Sequence, residues 1–399
     1  MQKKQTVFKS KVFIILAKLP VFLLALPFVV LMRVMRPVIW IRLISVSDRI
    51  GHGIGNIDVY LAERRAGMYP SKAMDIFYSN RPWKCNRQMI RMWKRLIPLY
   101  NFVYWIAWAN LKISGWEPHN YNPPHRDRDI YGLTNDTLPP VSFTGKEDER
   151  GEILLRKMGI PAGSPIVCFH ARDNSFLNAH SAIEDWTYHN HRDVDIDSYV
   201  PAIRELTARG YYAIRMGKVV KKPFLWKDPH VIDYAVSSWK SDFADMYLIS
   251  RCNFYIGTSC GMDAVATFFR KQQVVLNMIP MKIAFTWSPN YFYIFKKLWL
   301  IQDKRFLTFH EMLDSEVAGY LRAIQYKKAG IEVVDNTPEE IFDVVIEKEE
   351  RMRGCWKTND EYEELQRRFW KLFKPDHLNR VFNARVGSKF LEQTKELLL

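Results

Sequence analysis

The sequence predicts an α/β protein with two domains, each built on a parallel sheet. Between Gly163 and Asn277 short apolar runs of strand length alternate with helices, which is the pattern of parallel strands joined by crossover helices. The 399 residues are 48% hydrophobic and 25% charged, and at about 100–200 residues per domain they suffice for two folded domains. The five cysteines are scattered without a CxxC pair, which excludes a disulfide scaffold and a structural zinc site.

The basic residues are concentrated in the first third of the chain. Residues 1–128 contain 21 Lys and Arg against 6 Asp and Glu, whereas residues 129–399 contain 37 of each, so the net charge of +15 arises in the first part. A nucleic-acid-binding protein more often carries basic patches on every domain, while a membrane-facing protein places them where anionic headgroups lie. The distribution favours a membrane surface and argues against nucleic acid.

Residues 1–40 are expected to form a membrane anchor. Fourteen residues, Leu19 to Met32, carry no charge and are flanked by Lys and Arg on both sides. A spanning helix needs about 20 apolar residues, and Pro20 and Pro27 disturb this one. We expect an in-plane or re-entrant anchor that holds the protein at the cytoplasmic face of the inner membrane; a single span and a signal peptide are the alternatives.

Residues 83–113 form a second candidate membrane surface. This stretch mixes six Lys and Arg with a run of Trp, Tyr and Phe, as interfacial helices do. A core helix with a solvated basic face accounts for the same pattern, so both interpretations stand.

The first domain is expected at residues 41–160. A buried strand at residues 39–46 is followed by a glycine-bearing turn, GHGIGN, and by a helix at residues 57–66, and a second strand covers residues 73–78. This is the opening of a βαβ unit. Thr144 and Glu147 predict the capping box of a later helix.

The second domain is expected at residues 161–335, with charged C-terminal helices at 336–399. Its predicted strands are residues 165–169, 211–215, 231–234, 253–256 and 273–277, and its predicted helices are residues 196–208, 244–250 and 262–269. Parallel sheets bind ligands beyond the carboxyl ends of their strands, so the residues at these ends are the candidate site.

Three strand ends combine cations with a helix start rich in small residues. The candidate ligands are Arg172 after the first strand, Arg215 and Lys218 at the second, and Gly257, Thr258, Ser259 and Gly261 at the third. Fixed cations and free helix N–H groups stabilise a diphosphate, and no metal ion or other cofactor is needed for this. Asp245 is either a ribose ligand or a solvated charge, and Asp263 a ligand or a residue that stabilises its own helix start.

These segments resemble a family of bacterial glycosyltransferases with the two-domain GT-B architecture, found among cell-surface polysaccharide genes. The similarity lies in CFHARD, in HNHRDVDIDSYVPAIRELTARGYYAIRMGK and in DMYLISRCNFYIGTSCGMDAVA. It covers roughly residues 41–285, and it extends more distantly to fucosyltransferase-like and heptosyltransferase-like enzymes.

The resemblance implies two Rossmann-like domains facing across a cleft, with a nucleotide-sugar donor on the C-terminal domain. The acceptor, a lipid-linked or cell-surface polysaccharide, would lie on the N-terminal domain. Arg172 matches the diphosphate-contacting Arg of fucosyltransferase-like relatives, although Ala171 and Asp173 replace their paired arginine pattern. Gly51 and His52 match a Gly-His turn near the acceptor of lipid-acceptor enzymes.

An inverting transfer needs a base for the acceptor hydroxyl. His52 and Asp173 are the catalytic candidates, with Asp48 as a third, and Arg192 or Asp193 in the polar loop 185–193 could contact the sugar. The alternative function is a non-catalytic membrane-associated protein that binds RNA or lipid or acts as a scaffold. It leaves the cations at three strand ends without a role.

Overall fold

The computed structural model describes residues 2–79, 86–175 and 187–398, with side chains from Lys18 onward. The chain divides into two units, Met1–Asp127 and Arg128–Leu399. Each contains a sheet whose strands all run parallel, which confirms the predicted α/β class with parallel sheets.

The smaller unit is built on a three-stranded sheet of order β2-β1-β3. Its strands are β1 (Trp40–Ser45), β2 (Ala73–Tyr78) and β3 (Asn120–Tyr121), and its helices are α1 (Gln2–Val34), α2 (Ile50–Arg65), α3 (Arg87–Trp93) and α4 (Val103–Asn110). The register of β1 and β2 runs from Trp40 opposite Ala73 to Ser45 opposite Tyr78. Among the described residues no helix combines the length and the hydropathy needed to cross a membrane.

The glycine-bearing segment after β1 is helical and not a turn, which corrects the expected start of this helix. Helix α2 begins at Ile50, seven residues before the predicted start, and includes the glycines. A Cβ at Gly53 would lie 2.9 Å from the Ser47 carbonyl oxygen, and one at Gly55 would lie 2.6 Å from Cβ of Asp127. The glycines therefore serve close packing of α2, and His52 lies in its first turn.

A charged network lies inside the smaller unit. Arg42, only 1% exposed, donates two hydrogen bonds to the Asp75 carboxylate, at 2.6 and 3.0 Å. The Tyr60 hydroxyl and the Arg64 guanidinium donate to the same carboxylate. Burial of ions is unfavourable unless they are paired and hydrogen-bonded, so this network ties β1, β2 and α2 together.

The larger unit contains a parallel seven-stranded sheet of order β13-β9-β8-β7-β4-β5-β6. These strands are β4 (Ile166–Phe169), β5 (Tyr212–Arg215), β6 (Val231–Ile232), β7 (Phe254–Gly257), β8 (Gln272–Met278), β9 (Tyr291–Phe295) and β13 (Arg385–Val386). A separate antiparallel sheet consists of β10 (Lys297–Leu300), β11 (Arg305–Phe306) and β12 (Ile331–Val334).

Helices cover the seven-stranded sheet and complete one large apolar core. They are α5 (Gly145–Lys157), α6 (Val200–Ala208), α7 (Asp242–Arg251), α8 (Gly261–Phe268), α9 (Phe309–Asp314), α10 (Ala323–Lys328), α11 (Pro338–Arg353), α12 (Asp360–Lys371) and α13 (Ser388–Gln393). The predicted strands and helices of this part occur within a few residues of their expected bounds. The capping box of α5 is present, with the Thr144 N–H donating to Glu147 at 2.8 Å.

The units divide earlier than the expected boundary near residue 160. Helix α5 packs on α7 because Gly151 lies against the ring of Tyr247, where any side chain would collide. Phe143 also stacks on Phe269, with 5.7 Å between ring centroids. The segment before β4 therefore belongs to the larger unit. The C-terminal residues join the same unit, since β13 pairs with β9.

Candidate functional site

The loops that follow the two central strands of the larger unit are joined by hydrogen bonds. Strands β4 and β7 are neighbours, and the His170 N–H donates to the Ile256 carbonyl at 2.9 Å. Two residues on, the Arg172 N–H donates to the Thr258 hydroxyl at 2.9 Å. Arg172, Thr258 and the start of α8 are thus brought together, as the sequence predicted for this edge.

The Arg172 side chain is buried and paired with a carboxylate. Its guanidinium pairs with Asp193 and donates to the His189 carbonyl at 3.2 Å. Burial raises the pKa of Asp193, and the positive charge of Arg172 opposes that rise. The loop residues 189–193, which sequence reasoning considered only as sugar contacts, therefore form part of the cation site.

A second guanidinium lies at the start of α8. Arg192 donates to the Ser259 carbonyl, and its terminal nitrogen lies 3.4 Å from the Ser259 hydroxyl oxygen. Burial and then the charge of Arg172 lower the pKa of Arg192, so the two cations repel each other. Within the described part of the chain, the buried Nε of Arg192 has no hydrogen-bond partner.

Lys296 adds a third cation from the end of β9. Its ammonium group donates to the Asp193 carbonyl at 3.0 Å and to the Asp335 carboxylate at 2.6 Å. The lysine is 3% exposed, and burial lowers its pKa. Arg172, Arg192 and Lys296 therefore bring three cations to this edge of the sheet. The carboxyl groups of Asp193, Asp335, Asp173 and Asp263 lie among them.

Helix α8 begins on a compact polar corner. The Cys260 N–H donates to the Asp263 carboxylate at 3.0 Å, and the Cys260 sulfur lies 3.5 Å from Nδ1 of His170. A Cβ at Gly257 would lie 2.6 Å from Asp263 Oδ1 and 2.6 Å from the Tyr255 ring. Gly257 therefore makes room for Asp263, and burial raises the pKa of that carboxyl group. Gly261 is the first residue of the helix.

Three of the predicted residues are engaged elsewhere. Arg215 is 2% exposed and donates to the Lys222 carbonyl at 2.7 Å and to Asp233 at 3.2 Å. Lys218 pairs with Asp242 at 3.6 Å. Both carboxylate oxygens of Asp173 accept backbone N–H groups, from Ser175 and Lys221, each at 2.9 Å. These contacts suit residues that hold the loops after β4 and β5 in place.

The smaller unit presents His52 with a carboxylate partner. Nδ1 of His52 lies 2.8 Å from Oδ2 of Asp127, and the imidazole is 56% exposed. A carboxylate that accepts the Nδ1 proton fixes the tautomer with a lone pair on Nε2. The contact is possible because Gly55, one turn after Gly51, has no side chain in the way of Asp127.

Chemically, the two units offer different functions. The larger unit has guanidinium, ammonium and hydroxyl donors, which are groups able to bind an anion such as a diphosphate. The smaller unit has an oriented imidazole able to accept a proton. Across the described residues no three His, Cys, Asp or Glu side chains group as a metal site.

Two residues of these sites were missed in the sequence. Lys296 directly follows the apolar run YFYIF, so the rule of strand ends that selected Arg172 could have selected it too. Asp127 stands 75 positions from His52, in a stretch without periodicity, and offered no such signal.

Comparison with known proteins gives only structural similarities. No family model and no curated protein matches this chain. A family 9 glycosyltransferase from Veillonella parvula is similar over 64% of this chain and 86% of its own, with 11% identity and a TM-score of 0.39. The ADP-heptose LPS heptosyltransferase II of E. coli is similar over 64% of this chain and 90% of its own, with 12% identity and a TM-score of 0.38.

A third similar structure is the iron-containing dodecameric glycosyltransferase TibC from enterotoxigenic E. coli. It has 13% identity and a TM-score of 0.33, over 62% of this chain and 59% of its own. All three are glycosyltransferases and two, the E. coli enzyme and TibC, are heptosyltransferases, the kind of enzyme that the sequence resembles. The likeness is loose, and the function proposed below therefore depends on side chains of this chain.

Proposed function

We propose that this protein is a GT-B glycosyltransferase that moves a sugar from a nucleoside-diphosphate donor to a lipid-linked or cell-surface polysaccharide acceptor. The observation that carries the proposal is the meeting of Arg172 and Arg192 at the start of α8, where the Arg192 Nε has no partner among the residues that the structure describes. Two mutually repelling buried cations are stabilised by an anion between or beside them. A diphosphate supplies that charge and gains more of it as it departs.

In the proposed reaction the donor domain is the larger unit and the acceptor domain the smaller. The acceptor oxygen forms a bond to the anomeric carbon, and the bond from that carbon to the diphosphate breaks, with the electron pair leaving on the diphosphate. The acceptor proton passes to Nε2 of His52, whose Nδ1 proton is held by Asp127. His52 takes precedence over Asp173 as the base, because both oxygens of Asp173 already accept N–H groups.

A thermal-shift panel tests donor binding. Purified protein is heated with UDP, GDP, CDP, TDP and ADP and with their sugars, and one selective nucleoside diphosphate is expected to raise the unfolding midpoint. A ligand at 100 times its Kd stabilises the native state by about 2.7 kcal/mol. If no nucleotide shifts the midpoint while short RNA does, the non-catalytic alternative is favoured.

Arginine variants show whether the shift depends on the proposed site. Removing a charged donor costs about 1.5–3 kcal/mol, so Arg172→Ala or Arg192→Ala should weaken nucleotide binding about 10- to 100-fold. Arg204→Ala is the matched control, since this arginine is exposed on α6. Equal affinity in all three variants would remove the two arginines from the donor site.

The role of His52 is tested separately, by transfer of labelled sugar to a membrane fraction. His52→Ala should lower turnover by about 10²- to 10⁴-fold while leaving donor affinity unchanged. Asp127→Asn should lower it less, because the imidazole remains. Full turnover in His52→Ala would end its assignment as base.

A further inference from the structure

From Leu19 to Met32, helix α1 is apolar on two opposite sides, and the described residues cover only one of them. Ala25, Val29 and Met32 repeat at helical spacing and are buried, and Ala25 and Val29 pack with Ala109 of α4. Arg33 fixes the end of α1 to the end of α4, with two bonds to the Asn110 side chain at 2.9 and 2.7 Å. The part of α1 from Ala25 to Arg33 is therefore docked on α4.

The opposite side of α1 is exposed and wholly apolar. It consists of Leu, Val, Phe and Pro, and its large exposed members include Leu19, Leu23, Leu24, Phe28, Leu31 and Val34. Leu24 is 74% exposed. Between Leu19 and Val34 the only charged residue is Arg33, which bonds to α4 as described above. Contiguous exposed apolar surface of this kind marks an interaction site.

Aromatic side chains extend this face onto α4. Phe22 meets Trp108 edge to face at 6.2 Å between ring centroids, and Trp108 meets Trp105 at 6.1 Å. Trp105 is exposed, as is Phe102 just before the helix. Tryptophans are enriched where a protein meets the membrane interface. The exposed side of α1 and these aromatics are called the apolar face below.

Cations stand around the apolar face. The Lys18 and Lys112 ammonium groups lie 5.8 and 6.0 Å from the centroid of the Trp108 ring. Arg36, two residues beyond the end of α1, is also exposed. Both lysine head groups thus lie close to the Trp108 ring. In this arrangement the ammonium groups can contact lipid phosphates while the ring enters the membrane interface.

We infer that the apolar face docks in the plane of an anionic lipid bilayer, with α1 lying parallel to its surface. The complementarity of charge selects this occupant, because the basic rim fits the anionic leaflet that faces the cytoplasm. Between Leu19 and Met32 the helix is apolar both where it packs on α4 and where it is exposed, as expected for a segment that lies between protein and acyl chains. The inference is independent of the proposed sugar transfer.

Flotation with lipid vesicles tests this inference on the full chain. Protein diluted from detergent should float with vesicles that contain phosphatidylglycerol, and less with phosphatidylcholine alone or at high salt. Leu24→Glu should weaken vesicle binding about tenfold or more, since it places a charge in the part of the apolar face that would enter the bilayer. Leu225→Glu is the matched control, because Leu225 is 71% exposed on the larger unit.

The basic rim is tested by Lys18→Gln with Lys112→Gln, which should weaken binding to anionic vesicles and leave binding to neutral ones unchanged. Lys146→Gln on α5 is the control for loss of an exposed lysine. The inference is overturned if Leu24→Glu and Leu225→Glu float alike. It is equally overturned if Leu24→Glu converts a dimer to a monomer by light scattering without changing vesicle binding, because the face would then join two copies.

Discussion

Asp245 on α7 permits a quantitative prediction. Its carboxylate is 8% exposed and accepts a hydrogen bond from the Tyr234 hydroxyl at 2.7 Å. Burial raises the pKa of Asp245 from 3.8 to about 6, against the opposing effect of the Tyr234 bond. Each unit of pKa change corresponds to about 1.4 kcal/mol. The rise from 3.8 to about 6 therefore means that the folded state is about 3 kcal/mol less stable with Asp245 ionised than with a neutral side chain at this position.

The sign of the pH dependence follows from the raised pKa. Below pH 3.8 the carboxyl is protonated in both states, and it contributes no penalty to folding. As the pH rises through about 6, the folded protein must give up a proton that it holds more tightly than the unfolded chain does. The stability contributed by the protonated group is therefore lost over this window, and the loss is complete at pH 8.

Asp245→Asn removes the titration and keeps the acceptor for Tyr234. We expect the variant to match the wild type near pH 4 and to be more stable by about 3 kcal/mol at pH 8. Urea unfolding followed by circular dichroism at a series of pH values measures the difference. Asp242→Asn on the same helix is the control, and it should give no gain because it breaks the pair with Lys218.

The reasoning is refuted if Asp245→Asn is not stabilised at pH 8, or if its advantage is the same at every pH. The first result would mean that the carboxylate is well solvated or paired, and the second that packing and not titration separates the variants. A pH-dependent gain would show that ionised Asp245 is buried at a cost in stability, which excludes the solvated charge that was one of the two alternatives for this residue.

Two further substitutions test other parts of the structure. Asp75→Ala leaves Arg42 buried without its partner and should destabilise the smaller unit by about 3–5 kcal/mol. Urea unfolding measures the loss, with Glu117→Ala at an exposed position as the control. A change of less than about 1 kcal/mol would mean that water replaces the carboxylate. Gly257→Ala drives a methyl group into Asp263 and should lower the free energy of unfolding by about 1–3 kcal/mol and weaken nucleotide binding. Thermal shift with and without nucleotide measures both effects. Unchanged binding would mean that Gly257 and Asp263 lie outside the donor site.

Local sequence patterns predicted many of the strands and helices. Apolar runs such as PIVCF and NFYI predicted β4 and β7. A strand whose two faces are both buried is apolar along its whole length and does not alternate with polar residues. Thr144 and Glu147 predicted the start of α5 through a bond that spans three residues. The parallel order of the strands then followed from the helices between them.

Long-range contacts explain what the sequence analysis missed. The glycines before Ile57 were interpreted as a turn, because the side chain of Asp127 that requires Gly55 lies far along the chain. Arg215 was itself predicted as a diphosphate ligand because it ends a strand, and its pairing with Asp233 is visible only in three dimensions. Arg172 and Thr258 lie together at the predicted edge of the sheet, and their role as ligands stays a prediction. Lys296 also follows a strand and could have been selected by the same rule, whereas Asp127 became visible only in the folded chain.

The most direct test of the donor site is hydrogen exchange with and without the nucleoside diphosphate that the thermal panel selects. The account predicts slower amide exchange in peptides that cover residues 170–175, 187–193 and 257–263, and no change around Asp75. Protection confined to other regions, with exchange at the start of α8 unaltered, would contradict a diphosphate site at this edge of the sheet.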